Sequence, residues 1–186
     1  MKINLPIVVV RHPKERRSKC TMQPLRWAAG FFFYNALKDF RYDATGHLVL
    51  ALDAPALGPT DADWTTEERV SDEAHWQTHE WAPVAADFAR YNRRPLLLLD
   101  ATWRRLPQVE QCVSGNSIRR SLPRGLVTAY PRVNREGDDP DAGLATVEAL
   151  YVALRLLGED AEEVLASYRW AGAFLERNAE ILQSID

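Results

Sequence analysis

The chain has 186 residues, 46% of them hydrophobic and 10% aromatic, which is enough to bury one sizeable core without a second domain. No apolar run approaches the roughly 20 residues of a membrane helix, the first residues lack the apolar stretch and cleavage site of a secretory signal, and two cysteines cannot build a disulfide framework or an all-cysteine zinc site, so no membrane partner and a cytoplasmic protein are expected. The net charge of −3 conceals segregation: residues 1–26 hold seven Lys/Arg against one Glu and 90–135 hold ten Arg against two acids, whereas 27–89 carry eleven acids to three bases and 136–186 twelve to three.

Residues 3–10 read as a first strand. Pro24, a favoured first-turn residue, predicts an aromatic-rich helix over 24–40. Gly46 opens a second strand over 47–52, and Pro55, Gly58 and Pro59 mark 53–66 as a loop. The span 67–91 reads as a helix interrupted at Pro83. Pro95 then introduces Leu96, Leu97, Leu98 and Leu99, a run buried on both faces as a central parallel strand is. A loop and helix follow, then a strand over 125–129 and a long loop containing Pro131, Gly137, Pro140 and Gly143. Val147, Leu150, Tyr151, Leu154 and Leu157 repeat at helical spacing, so 146–157 is a helix, ended by Gly158. Asp160 is placed to cap the next helix, and the chain closes on one near 174–182. No internal repeat appears. Strands alternating with helices specify an α/β fold. One domain over 1–186 is expected, with an N-terminal part to about residue 53, a variable acidic insertion at 54–93 and a C-terminal part at 94–186.

Whatever follows Leu99 stands at the carboxyl edge of the sheet, where open α/β sheets bind ligands. There the chain places Asp100, Thr102, Trp103, Arg104 and Arg105. The two basic blocks carry this segment and the one before it. If the fold brings them together, a positive face forms that neutralises RNA phosphates; otherwise the arginines solvate loops and pair with the acidic helices. Other residues read as structural. Cys20, among basic neighbours, has no Cys/His pair at catalytic spacing and is taken as packing. His75 and His79 share a helix face, but no adjacent glutamate completes a zinc motif; an exposed insertion helix and no metal are expected.

The Asp100-Ala101-Thr102-Trp103 core resembles the signature of the DTW-domain superfamily, S-adenosylmethionine-dependent transferases that move an aminocarboxypropyl group onto a nitrogen of RNA. The runs Leu122 to Pro131 and Leu144 to Leu150 resemble the strand, cofactor loop and helix start of its ribosome-biogenesis branch. Tyr168-Arg169-Trp170, Phe174 and Leu175-Glu176-Arg177-Asn178 resemble its closing helix. Ser18-Lys19-Cys20-Thr21 with Leu25 is similar to its Cys-Thr/Ser-Gly-x-x-Leu element, with Met22 replacing glycine. The likeness spans about residues 10–183, and 54–93 match poorly.

The resemblance implies a SPOUT-like α/β fold whose C-terminal part is threaded as a trefoil knot, with the knotted cofactor loop at 130–143. It implies S-adenosylmethionine as cofactor, with Thr146 and backbone near Leu144 at the methionine and adenine ends, Leu126 at the adenine, and Thr21 and the loop around Leu52 at the ribose. Trp103 suits the methyl and sulfonium side, because an indole face attracts a cation and excludes water. Asp100 either holds the amino group of the arm or accepts the proton of the attacking imide. The implied substrate is a uridine or pseudouridine derivative of small-subunit ribosomal RNA or its precursor; the segregated charge marks Arg16, Arg17, Lys19, Arg104, Arg105, Arg119 and Arg120 as its phosphate contacts, and a monomer is expected. The competing readings are a methyltransferase on the same fold and a non-catalytic RNA-binding ribosome assembly factor.

Overall fold

A computed structural model describes residues 2–15, 20–78, 85–88, 90–131 and 143–185. In chain order the strands are β1 (Ile7–Arg11), β2 (Phe31–Asn35), β3 (Tyr42–Asp43), β4 (Leu48–Leu50), β5 (Leu96–Asp100), β6 (Val113–Ser114) and β7 (Ile118–Arg120). The helices are α1 (Thr66–Thr78), α2 (Ala85–Phe88), α3 (Leu106–Glu110), α4 (Thr146–Leu156), α5 (Ala171–Arg177) and α6 (Ala179–Gln183). Five strands form a parallel sheet in the order β2-β1-β5-β4-β7, and β3 pairs β6 in a second, two-stranded parallel sheet.

β5 lies at the centre, as its four leucines require: a strand with apolar residues at every position must be covered on both faces. Leu96 and Leu98, with Ile7, Val9 and Leu48, face a core completed by Leu150, Leu154 and Phe174. Leu97, with Val8, Val10 and Val49, faces a second core built from Tyr42, Trp76, Phe88 and Val109. Within the acidic segment, Trp76 and Phe88 therefore cover the sheet, while most of the first half of α1 is exposed. Trp76 is buried and donates its indole N–H to the Thr45 carbonyl at 2.9 Å. Arg94 is buried among acids of this segment, bonding Asp72 at 3.1 Å and Glu68 at 2.7 Å.

The helix expected over 24–40 does not form. Gln23–Leu25 makes one 3-10 turn, and Phe31–Asn35 is β2. The reason is periodicity: Phe31 and Phe33 join one core while Phe32 and Tyr34 join the other, the two-residue alternation of a strand. The strand expected over 125–129 is also absent. The segment's partners are side chains: Asn178 accepts from Val127 N at 2.7 Å and donates to Val127 O at 2.9 Å, and Glu148 accepts from Ala129 N at 2.9 Å. α4 forms where apolar spacing places it, and Gly158 ends it at φ +70°, a conformation open to glycine. The expected helix near 174–182 is the pair α5 and α6, and Asp160 caps no helix: it precedes Ala161, the cap residue of a short 3-10 turn, and accepts from Glu162 N at 3.1 Å. Pro83 and most of the 130–143 loop lie outside the described residues.

Candidate active site

β1 and β5 are neighbours, and their connections leave in opposite directions. The chain after β1 crosses one face towards β2, carrying Cys20, Met22 and Leu25 into the first core. The chain after β5 crosses the other face towards β7, carrying Val109 into the second. Such a divergence opens a crevice at the carboxyl ends of the two strands. Arg11 and Asp100, register partners, stand at its mouth, and His12 N donates to the Asp100 carbonyl at 3.0 Å.

Asp100 continues the side of Leu96 and Leu98, so its carboxylate points into the layer containing Cys20 and α4. It is 6% exposed. Its Oδ1 accepts from the Thr146 hydroxyl at 2.7 Å and its Oδ2 from the Cys20 thiol at 3.1 Å. Burial, reinforced by the Asp100 charge and its hydrogen bond, pushes the Cys20 thiol up to about 12, so it remains a proton donor at neutral pH. Cys20 is thus more than packing. Its neighbour Thr21 accepts from Val147 N at 3.3 Å, which ties the loop after β1 to the first turn of α4. Three expected residues, Thr21, Asp100 and Thr146, meet here.

Trp103 begins the 3-10 turn Trp103–Arg105 directly beyond β5. It lies against Gly143 so closely that a Cβ there would come within 2.5 Å of the indole. Only glycine permits this approach, and the indole therefore roofs the chain entering α4. Leu126 is 5% exposed and belongs to the core; Leu144 is half-buried. Leu52 is exposed beyond the end of β4, one strand over from Asp100.

Sequence reasoning missed the frame that holds this arrangement. Glu148 is fully buried and accepts four hydrogen bonds, from Ala129 N at 2.9 Å, Ala145 N at 2.8 Å, the Thr128 hydroxyl at 2.6 Å and the Tyr168 hydroxyl at 2.7 Å. It binds the 128–130 segment to the start of α4, whose cap residue, Ala145, offers no side-chain acceptor. Arg11 lies in the first basic block but was not singled out beside the carboxylate. It is 4% exposed, donates to the Glu15 carbonyl at 3.0 Å, and its Nε has no hydrogen-bond partner. A charge ending a buried apolar run, as Asp100 ends another, was the available signal.

The expected RNA-contacting residues divide. Arg16, Arg17 and Lys19 lie outside the described residues. Arg104 is exposed beyond β5. Arg105 pairs with Glu15 at 3.3 Å, Arg119 with Glu110 at 3.2 Å and Arg120 with Asp61 at 2.8 Å. On the opposite face of the sheet edge a cleft of about 260 Å³ is lined by His12, Leu37, Lys38, Arg41 and Gln108 among others. His75 pairs with Asp43 at 2.7 Å, and His79 lies outside the described residues. Among the described residues no group of three His, Cys, Asp or Glu side chains is placed to hold a metal ion, and no helix is long and apolar enough to cross a membrane.

A parallel sheet with a hydrogen-bonded carboxylate at the carboxyl ends of two neighbouring strands, whose connections cross opposite faces, defines a mixed α/β protein with an open sheet. Residues 78–185 match the family described as ribosome biogenesis protein, C-terminal, and the chain belongs to that family. It is 36% identical over 93 residues to the 16S rRNA aminocarboxypropyltransferase of Methanopyrus kandleri, a match covering 49% of this chain. The chain spans about half the length of that curated relative, 52%. Its fold is shared with the solved structure of the SAM-dependent rRNA:acp-transferase Tsr3 from Vulcanisaeta distributa, with a TM-score of 0.59 and 24% identity over 97% of this chain and 83% of that one.

Proposed function

We propose that this protein transfers the aminocarboxypropyl group of S-adenosylmethionine to a nitrogen of a uridine or pseudouridine derivative in small-subunit ribosomal RNA. The observation that carries the reading is the convergence of Cys20, Asp100 and Thr146, from three distant segments, on one carboxylate beside Trp103. The names of the two relatives support the same substrate and cofactor.

The residues present fit such a cofactor. A buried carboxylate, a buried guanidinium with an open donor and an indole lie in one crevice, the complement of a molecule with an ammonium, a carboxylate and a sulfonium. Bound S-adenosylmethionine supplies a sulfonium whose attached aminocarboxypropyl carbon is open to a nucleophilic nitrogen. Asp100, fixed at both oxygens, holds an ammonium or takes the proton of an attacking imide in a constant orientation. Trp103 keeps water from the sulfonium side. Thr21, Thr146, Leu52 and the backbone of Leu126 and Leu144 bind the remaining polar groups. Arg104, Arg105, Arg119 and Arg120, with Arg16, Arg17 and Lys19, contact phosphates of the RNA. We read the chain as a single cytoplasmic domain acting as a monomer, with a SPOUT-like knot in its C-terminal part.

Isotope position tests the reading. Cofactor labelled on the carboxyl carbon is expected to label ribosomal RNA and leave methylthioadenosine, while methyl-labelled cofactor leaves the RNA cold. The reverse pattern identifies a methyltransferase. Cofactor binding that is undetectable at millimolar concentration leaves the assembly-factor reading instead.

A further inference from the structure

Arg11 and Asp100 carry opposite charges on adjacent positions of neighbouring parallel strands, yet they form no ion pair with each other. Both are buried, at 4% and 6% exposure, and both continue the same side of the sheet: Ile7, Val9 and Arg11 on β1, and Leu96, Leu98 and Asp100 on β5. The Cys20 thiol, bonded to Asp100, feels both charges. Asp100 is satisfied by neutral donors. Arg11 has only the Glu15 carbonyl. The Glu15 carboxylate, the closest acid in sequence, is turned to Thr102 N at 3.2 Å and to Arg105 at 3.3 Å.

A buried guanidinium without a carboxylate partner is costly, and its open Nε–H is an unmet donor. The Nε edge of arginine presents two parallel N–H groups that match the oxygens of one carboxylate. An acid beside it would serve stability alone, and none of the described residues supplies one. A ligand that brings both an ammonium and a carboxylate on one carbon satisfies Asp100 and Arg11 together.

We infer that Arg11 is a specificity-determining residue that binds the α-carboxylate of the cofactor's amino-acid arm while Asp100 holds the neighbouring ammonium. This rests on the proposed use of S-adenosylmethionine. It assigns to β1 a part in selecting cofactor with an intact arm, independent of the indole and of the RNA surface.

Calorimetric titration of the full chain with three ligands tests it: S-adenosylmethionine, decarboxylated S-adenosylmethionine, which lacks only the carboxylate, and methylthioadenosine, which lacks the arm. The wild type is expected to prefer the carboxylated ligand by roughly tenfold to a hundredfold, the worth of a charge-assisted hydrogen bond. Arg11→Met is expected to bind the first two alike, with methylthioadenosine affinity unchanged, and Arg11→Lys to show an intermediate preference. If Arg11→Met does not fold, the wild-type ratio and Arg11→Lys decide. A preference undiminished in the variants overturns the inference, as does an equal loss for all three ligands. A loss confined to ribosomal RNA, measured by fluorescence anisotropy, also overturns it and makes Arg11 a phosphate contact. Failure of the wild type to bind any of the three removes the cofactor reading itself, a result distinct from the others.

Discussion

The Cys20 thiol and the Asp100 carboxylate, 80 residues apart, share a hydrogen bond of 3.1 Å that keeps the thiol protonated and the carboxylate oriented. With the thiol pushed up to about 12 by burial and by Asp100, Cys20 is expected to resist iodoacetamide at pH 8 although it is partly exposed. In a Cys112→Ser background, Asp100→Asn should speed alkylation about tenfold for each unit the thiol falls. Mass spectrometry of the time course checks this, and an unchanged rate contradicts it.

Glu148 accepts four hydrogen bonds in full burial, so the isosteric Glu148→Gln turns an amide N–H₂ towards groups that can only donate or must reorient. A loss of about 3 kcal/mol is expected from the denaturant midpoint, because unpaired buried donors keep their full desolvation cost. Cofactor affinity should fall with it, since Glu148 holds the segments carrying Leu126 and Thr146.

Arg119 and Arg120 are adjacent on β7 but differ in commitment. The Arg119–Glu110 pair is exposed at both side chains, 55% and 42%, and such pairs yield easily to phosphate. Arg120 is half-buried against Asp61, whose carboxylate also accepts from Gly58 N at 2.7 Å. Arg119→Ala is expected to reduce the salt dependence of RNA affinity by about one counterion while leaving the melting temperature unchanged. Arg120→Ala should in addition cost about 1 kcal/mol of stability.

His47 is buried, with Nδ1–H donating to the Thr45 carbonyl at 3.0 Å and Nε2 accepting from the Tyr42 hydroxyl at 2.9 Å. Burial lowers its pKa from 6.5 to about 4. The unfolded chain therefore binds more protons between those values, and stability is expected to fall as pH drops through this window, by up to about 1.4 kcal/mol per pH unit. His47→Gln lowers overall stability but should flatten that slope, which urea titrations at pH 7 and pH 5 measure.

The elements legible in the sequence were those whose signal is local. Leu96 to Leu99 must be covered on both faces, and a strand so covered lies inside a sheet; Asp100 then falls at its carboxyl end whatever the remaining topology. α4 announces itself by apolar spacing and Gly158. By contrast, Pro24 suggested a helix because it is a local preference, and two cores on opposite sides of the sheet made Phe31 to Tyr34 a strand instead. No local pattern could show that Val127 and Ala129 would be held by Asn178 and Glu148, 51 and 19 residues away, in place of a neighbouring strand. Nor could the segregated charge show which bases pair with acids: folding sets Arg93 on Glu159, Arg94 on Asp72 and Arg120 on Asp61. Sequence determined which residues are apolar, which are charged and where strands and helices begin to be favourable. Only tertiary structure decided that Arg11, Cys20 and Thr146 surround Asp100, because long-range partners are chosen by strand order and burial, which no window of the chain contains.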